Sequence, residues 1–354
     1  MGLKLYNESD IQNIATSIRS KNGSQSTYTV SQMSTAIDNI PSGSSIPSYP
    51  LNNGKNNIWI VIDTVNQSVE VTVETSGDSV NWGDGTTNTN TTHTYSDVGI
   101  YCISANSLAS VTNNKLVLYA EYNNNITLPS YQYSTVKKAK LNNSSLTSIS
   151  ARLFDYSRTL KEISMPYVTT IDTYAFNCCT SLSSVDLSGV TTIGDYAFYF
   201  CQSLNNLVIP SSVTTIGKEA FSGGTGSGAL SITSLTLPST IISIGQQAFG
   251  HNKFLTTVVI NCNIPTNIGS VFRGCTALQT VTVGANVTAL GNATFMSVNS
   301  TYVIHLQGTT PPSLGTSKLS STPAAIYVPA SAVETYQNDS YWSTYSSIIQ
   351  AEPS

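Results

Sequence analysis

Large apolar residues recur at a fixed interval through the C-terminal two-thirds of the chain. Seven phenylalanines mark this interval, with spacings of 22, 22, 23, 28, 23 and 23 residues: Phe154, Phe176, Phe198, Phe221, Phe249, Phe272 and Phe295. An aliphatic residue lies five positions before most of these phenylalanines, at Ile149, Ile171, Ile193, Ile216, Ile244 and Leu290. Ile268, four positions before Phe272, is assigned to the same place in its repeat. A fixed period of this size predicts a solenoid of stacked coils.

A second apolar set follows each phenylalanine and alternates with polar residues in the pattern L-x-x-V-x-L. Its members are Leu182, Val185 and Leu187, then Leu204, Leu207 and Ile209, then Leu255, Val258 and Ile260, then Leu278, Val281 and Val283. The alternation predicts a short strand in each coil with these side chains inward. Prolines 210, 238 and 265 indicate turns. No single coil can bury both apolar faces, so the stacked coils must share one core.

The whole pattern, I-G-x-x-A-F-x-x-C-x-x-L-x-x-V-x-L-P, resembles the BspA-like leucine-rich repeats of bacterial surface and adhesion proteins. The resemblance runs from residue 134 to residue 310 and is strongest between residues 169 and 283. It implies a solenoid over residues 107–323, interrupted by an insertion loop at residues 222–231.

Residues 324–354 resemble the C-terminal cap of the same family. The resemblance implies a strand that ends at Pro329 and a short helix that begins at Ser331. Trp342 and Tyr345 are expected to cover the last coil, because an open solenoid end would expose its core.

Composition excludes several classes of protein. Apolar residues make up 40% of the 354 positions, which excludes a fully disordered chain. The formal net charge of −4 and the lack of a basic cluster argue against nucleic-acid binding. No apolar run reaches the roughly 18 residues that a membrane helix needs, so we expect no membrane insertion. The N-terminal sequence has no hydrophobic core of a signal peptide, and we expect none.

Cysteines follow the repeat. Cys179, Cys201 and Cys275 each lie three residues after a ladder phenylalanine, which predicts stacked core thiols and not disulfides. We expect Cys102, Cys178 and Cys262 to be buried as well. The three histidines are far apart in sequence and no CxxC spacing occurs, so we expect no metal site and no cofactor.

Residues 58–106 contain β-branched, alternating segments around the motif W-G-D-G-T at residues 82–86 and H-T-Y at residues 93–95. These motifs resemble those of the PKD domain, a small immunoglobulin-like β-sandwich. The resemblance implies a spacer or adhesion module and no catalysis.

The glycines of this motif, Gly83 and Gly85, allow a tight turn, which Asp84 can cap through the backbone. Trp82 and Tyr101 are expected to fill the space between two sheets. Asp84 and His93 could instead form an acid–base pair, but turn and packing roles are favoured.

The first 41 residues predict a helical hairpin. Asn7 and the residues after it provide capping chemistry, and Gly23 ends the first helix. The apolar face consists of Ile11, Ile14 and Ile18 in the first helix and Met33, Ile37 and Ile40 in the second. Two short helices cannot form a core alone, so this face needs another protein or a second copy of the chain.

The hairpin resembles a helical module at the start of phage tail-associated and fibre-like proteins. That resemblance implies an anchor to other virion structural proteins, followed by a flexible linker at residues 42–57. The fold class is therefore mainly β, with an N-terminal helical hairpin, a PKD-like sandwich and a capped leucine-rich-repeat solenoid.

The order of these parts predicts a non-enzymatic virion protein that anchors by its N-terminus and binds a host-surface protein or polysaccharide through the solenoid. Two alternatives remain. The chain could be a capsid decoration or head-fibre protein that adheres to environmental glycans such as mucin, or an adhesin at the bacterial cell surface.

Candidate ligand contacts are aromatic, because aromatic residues dominate binding interfaces. Tyr174 and Tyr196 share one position two residues before the repeat phenylalanine, and Tyr199 lies close by. The alternative is that these tyrosines are half-buried ladder residues. Predicted outward strand positions are small or polar: Ser184, Asp186, Asn206, Thr257, Thr280 and Thr282.

Overall fold

The computed structural model describes residues 55–62, 67–73, 75–83, 85–96, 99–106, 108–111, 117–122, 138–141, 144–226 and 228–353. The predicted hairpin, with Ile11, Ile14, Ile18, Met33, Ile37 and Ile40, lies outside these residues, as do Asp84 and most of the linker. The described part is mainly β. The chain divides into two compact units, residues 1–145 and 146–354.

The first unit is built mostly from antiparallel strands. They are β1 (Asn56–Ile62), β2 (Gln67–Val73), β3 (Val80–Asn81), β4 (Thr87–Asn88), β5 (Thr92–Tyr95), β6 (Gly99–Ala105), β7 (Leu108–Val111), β8 (Val117–Tyr122) and β9 (Lys138–Leu141). One sheet has the order β9-β8-β1-β6-β3-β4, and another has the order β5-β2-β7. Strands β7 and β8, which the sequence analysis assigned to the solenoid, pair antiparallel with β2 and β1.

Trp82 and Tyr95 anchor the core of this unit, since both are fully buried. The Tyr95 hydroxyl donates to the Trp82 carbonyl at 2.8 Å, and His93 stacks on the Trp82 ring at 5.0 Å between centroids. His93 therefore has the predicted packing role. Gly83 and Gly85 have φ of 83° and 95°, which confirms the predicted turn. The PKD-like sandwich itself stays a prediction.

Short parallel strands stacked coil upon coil form the second unit. They are β10 (Ser148–Ile149), β11 (Glu162–Ser164), β12 (Thr170–Ile171), β13 (Ser184–Val185), β14 (Thr192–Ile193), β15 (Thr215–Ile216), β16 (Ser234–Leu237), β17 (Ser243–Ile244), β18 (Thr257–Ile260), β19 (Ile264–Gly269), β20 (Thr280–Val283), β21 (Leu290–Asn292), β22 (Val303–Leu306), β23 (Ala325–Val328) and β24 (Ile349–Ala351).

Two stacked sheets bound the solenoid core. Strands β10-β12-β14-β15-β17 form one sheet, and β16-β18-β20-β22-β23-β24 form the other. Between them the ladder phenylalanines stack ring on ring, with centroids 5.1–5.3 Å apart from Phe154 to Phe249. The two pairs from Phe249 to Phe295 are 5.9 Å apart. All seven rings are fully buried, which confirms the predicted ladder.

Several details of the repeat differ from the prediction. Val185, predicted to point inward, is half-exposed, and Pro265, predicted to mark a turn, lies within β19. Ile268 is half-exposed, and Ile264 takes the inward position in its coil, where β19 pairs with β21 through a register shift. Leu204, Leu207 and Ile209 are buried as predicted but form no strand. Asn205 and Asn206 interrupt the segment, and asparagine is disfavoured in strands.

The cap closes the solenoid as expected. After β23, a 3₁₀ turn at Ala330–Ala332 leads into helix α1 (Val333–Asn338), and a second 3₁₀ turn spans Ser343–Ile348. Trp342 is fully buried and its indole Nε1 donates to the Pro312 carbonyl at 2.7 Å. Strand β24, which the sequence did not predict, then pairs parallel with β23.

Candidate functional site

The position two residues before each ladder phenylalanine has a left-handed backbone. Its φ values lie between 49° and 62° at Arg152, Tyr174, Tyr196, Glu219, Gln247, Ser270 and Ala293. Side chains with a Cβ disfavour this region. Here the backbone N–H groups of Tyr174 and Tyr196 donate to carbonyls of the next coil at 2.9 and 2.8 Å. Each coil therefore presents the same side-chain position on one line along the solenoid.

Tyr174 and Tyr196 stack face to face on this line, with ring centroids 4.7 Å apart and planes inclined by 2°. From the preceding coil, the Arg152 guanidinium lies 4.2 Å from the Tyr174 centroid. From the following coil, the Lys218 ammonium lies 5.5 Å from the Tyr196 centroid. The faces of the two rings are therefore covered, and both half-buried tyrosines offer their edges and hydroxyls.

Tyr199 joins this arrangement from the side. Its ring meets Tyr196 edge to face at 5.6 Å, and it is half-buried. Burial raises the pKa of the Tyr199 phenol, and the nearby Glu219 carboxylate adds to the shift. The structure thus brings the three tyrosines named from sequence together. We call the set of Arg152, Asp172, Tyr174, Asp195, Tyr196, Tyr199, Lys218 and Glu219 the tyrosine strip.

A buried carboxylate fixes the first residue of the strip. Arg152 Nη1 donates to Asp155 Oδ2 at 2.7 Å, and Asn177 Nδ2 donates to Asp155 Oδ1 at 2.7 Å. Asp155 is buried, and a buried carboxylate is costly unless it is paired. These two donors compensate its charge. Sequence reasoning missed this network, although Asp155 and Asn177 share the position directly after the ladder phenylalanine.

The rest of the strip is rich in hydrogen-bond acceptors. Asp172 and Asp195 are exposed, and Asp195 Oδ1 accepts the Lys218 backbone N–H at 2.7 Å. The Tyr196 hydroxyl donates to Glu219 Oε1 at 3.2 Å, and the Lys218 ammonium lies 4.0 Å from the same oxygen. The strip thus contains two cationic side chains and three carboxylates, and the buried Asp155 adds a fourth carboxylate next to Arg152.

The cysteine ladder is confirmed as a core feature. Cys179, Cys201 and Cys275 are buried free thiols, and each sulfur donates to the carbonyl of the phenylalanine one coil earlier, at 3.1, 3.2 and 3.4 Å. Burial raises the pKa of each thiol, to about 12 at Cys275. Cys262 is buried as expected, Cys178 is half-exposed because it lies on the outward left-handed turn, and the Cys102 side chain lies outside the described part.

Within the described ranges, no three side chains of the metal-binding types His, Cys, Asp and Glu come together as a site. The helices in that part of the chain are too short or too polar to cross a bilayer.

Comparison with known proteins identifies the family. A model described as the BspA type leucine-rich repeat region matches residues 124–227 and 227–344 in six copies. The chain belongs to the BspA-type leucine-rich repeat family. A search of curated proteins finds no match.

Several solved structures resemble this member of the BspA-type family at low identity. One is a leucine-rich cell surface protein from Faecalibacterium prausnitzii, 19% identical over 70% of this chain and 86% of that one, with a TM-score of 0.34. Another is a leucine-rich repeat protein from Bacteroides ovatus, 18% identical over 74% and 76%, with a TM-score of 0.36. The leucine-rich repeat protein of T. pallidum is 20% identical over 51% and 70%, with a TM-score of 0.30. The PKD and phage resemblances remain predictions.

Proposed function

We propose that this BspA-type protein is a non-enzymatic binding protein that acts at a bacterial surface and holds a surface protein or polysaccharide through its solenoid. The tyrosine strip is the observation that carries the proposal. It groups half-exposed phenols and charged side chains on a backbone fixed by coil-to-coil hydrogen bonds. Rigid, preorganised polar groups lose little entropy when a ligand binds.

The chemistry of the thiols supports a role without catalysis. Catalytic cysteines have lowered pKa values, because the thiolate is the nucleophile. Burial instead raises the pKa of Cys179, Cys201, Cys262 and Cys275. These thiols are therefore core residues and not nucleophiles.

The location of the chain is a finer proposal. Residues 1–41 would anchor it to a phage particle, and the solenoid would then contact the host surface. This proposal rests on the sequence of the N-terminal module, and the rival location is the bacterial cell surface itself. A chain lacking residues 1–45 should fail to join particles but still bind cells, if the particle location is correct.

Cell binding tests the function itself. The purified full chain, labelled with a fluorophore, is incubated with a panel of bacterial cells, and bound protein is counted by flow cytometry. A variant with Tyr174→Ala, Tyr196→Ala and Tyr199→Ala should lose most binding. Equal binding by the variant and the parent chain, or no binding to any cell, would rule out recognition through the strip.

A further inference from the structure

The tyrosine strip has features that narrow the class of ligand. Resting on the proposed function, we infer that the strip binds a neutral, linear polysaccharide that lies along the solenoid axis. Three properties lead to this inference: the repeat of the strip, the groups that it leaves available, and its charge.

The repeat comes from the stacking of the coils. Tyr174 and Tyr196 occupy the same position in successive coils, with the two phenol rings 4.7 Å apart. Exposed carboxylates accompany them at neighbouring positions, since Asp172 lies four residues before its ladder phenylalanine and Asp195 three. The phenylalanines beneath them keep a similar interval, 5.1 Å between Phe176 and Phe198. A linear polymer with regularly spaced hydroxyls can therefore meet one phenol in each of two successive coils, with a carboxylate close to each phenol.

The available groups favour hydroxyls over apolar surface. Arg152, Lys218 and the rings themselves cover the faces of Tyr174 and Tyr196, so a sugar ring cannot stack on them. What remains is the hydroxyls of Tyr174 and Tyr199, which donate and accept, and the carboxylates, which accept only. The Tyr196 hydroxyl donates to Glu219 and can still accept. Sugar hydroxyls complement both kinds of group.

Charge disfavours an acidic ligand. Arg152 is already paired with the buried Asp155, and Lys218 lies near Glu219. The exposed carboxylates of Asp172 and Asp195 then leave the strip with an excess of negative charge. Acidic polysaccharides and nucleic acids would be repelled, because their binding depends on unpaired cations.

The strip spans four successive coils, from Arg152 to Glu219, and the insertion begins directly after it at Ser222. Affinity for oligosaccharides should therefore rise with length while added sugars reach new coils. It should level off at about four sugars, because further units pass beyond the strip and gain no contact.

A glycan panel tests the inference with the full-length chain. The immobilised probes are neutral linear glucan, mannan, xylan and galactan, with polygalacturonate, heparin and duplex DNA beside them. We expect at least one neutral polysaccharide to bind. Because such a ligand carries no charge for salt to screen, its affinity should change less than about twofold between about 0.1 and 0.5 M salt. Oligomers of that sugar should show the levelling of affinity with length.

Matched variants locate the contact. Asp195→Asn keeps Oδ1 as the acceptor for the Lys218 N–H and replaces the second carboxylate oxygen, an acceptor, with an NH2 donor. Tyr196→Phe removes one hydroxyl, together with its bond to Glu219. Each should weaken binding roughly three- to tenfold, the usual effect of one lost hydrogen bond. Asp186→Asn and Tyr327→Phe change outward residues of the strand face and should leave affinity unchanged. Melting curves of all four variants confirm folding.

The outcomes separate the inference from the proposed function. Binding only to polygalacturonate, heparin or DNA, with steep loss in salt, would overturn the inference. The inference would also be overturned if no polysaccharide binds and protease treatment of the cells abolishes cell binding. In that case the ligand is a surface protein, and the proposed function stands. Failure of the chain to bind cells at all would instead remove the proposed function.

Discussion

Asn252 offers the sharpest test of how the coils are held together. It occupies the cysteine position of its coil, three residues after Phe249, and is fully buried. Its Nδ2 donates to the carbonyls of Phe221 at 2.9 Å and Phe249 at 3.0 Å. Its Oδ1 accepts the N–H of Leu230 at 3.1 Å, which ties the returning end of the insertion to the core.

Asn252→Ala removes all three bonds. The Phe249 carbonyl keeps a second donor, the Cys275 thiol at 3.4 Å, so two backbone groups are left without these partners. An unsatisfied buried group costs about 1–3 kcal/mol. We therefore expect the free energy of unfolding to fall by about 4 kcal/mol.

Asn252→Cys is the matched variant. By analogy with Cys179, Cys201 and Cys275, the new thiol should donate to the carbonyl one coil earlier, that of Phe221. Only the Leu230 N–H then lacks a partner, and the loss should be about half, roughly 2 kcal/mol.

Urea unfolding, followed by tryptophan fluorescence and by circular dichroism, measures both losses; Trp59 and Trp82 of the first unit contribute to the fluorescence beside Trp342 of the cap. Because the chain has two compact units, each loss is read from the transition that the substitution shifts. The two probes should coincide within that transition, since a free energy is defined only for a two-state change. A loss below about 1 kcal/mol for Asn252→Ala, or no gain from cysteine over alanine, would refute this account of the ladder.

Three further predictions follow from the core. Iodoacetamide should label Cys178 in the native chain, while Cys179 and Cys275 should react only in denaturant, as mass spectrometry of the labelled protein can show. Reductant should leave the melting temperature unchanged. Between pH 9 and 12, stability should fall, because the raised pKa of Cys275, about 12 against 9.0, keeps it protonated when folded and lets it ionise when unfolded. Cys275→Ala should lower that fall by about 1.4 kcal/mol at pH 10 in urea titrations. Gly194→Ala should lower the free energy of unfolding by more than about 1 kcal/mol, since the added Cβ would lie 2.7 Å from the Thr173 backbone nitrogen. An unchanged urea midpoint would mean that the neighbouring coil moves away at no cost, which contradicts the tight packing of the coils.

The periodic core was predictable from sequence because each ladder residue makes the same contact in every coil. The 22-residue spacing of Phe154, Phe176 and Phe198 fixes which residues stack, whatever the neighbouring loops do. The same argument identified the cysteine ladder, whereas the cap tryptophan was identified from the family resemblance. Repetition thus turns a local pattern into a tertiary contact.

Irregular features were not predictable in this way. In the coil before Phe272, a changed register moves Ile268 outward and Ile264 inward. The sequence alone does not show which of the two isoleucines occupies the core. Strand β24 is too short to leave a pattern.

The candidate site was found by its tyrosines, but its geometry was not. The left-handed backbone at Tyr174 and Tyr196 comes from coil-to-coil hydrogen bonds, and most residues there have no sequence signal for a positive φ. The burial of Asp155 beneath Arg152 is also a tertiary effect. Consequently the sequence named the aromatic residues and missed the charges that cover their faces.

Cell binding by two triple variants tests the central claim most directly. One carries Tyr174→Ala, Tyr196→Ala and Tyr199→Ala in the strip, and the other carries Thr257→Ala, Thr280→Ala and Thr282→Ala on the outward face of β18 and β20. Both are compared with the parent chain by flow cytometry at matched folded concentration. The account predicts at least a tenfold loss of affinity for the tyrosine variant and none for the threonine variant. A loss confined to the threonine variant would place recognition on the strand face and contradict it.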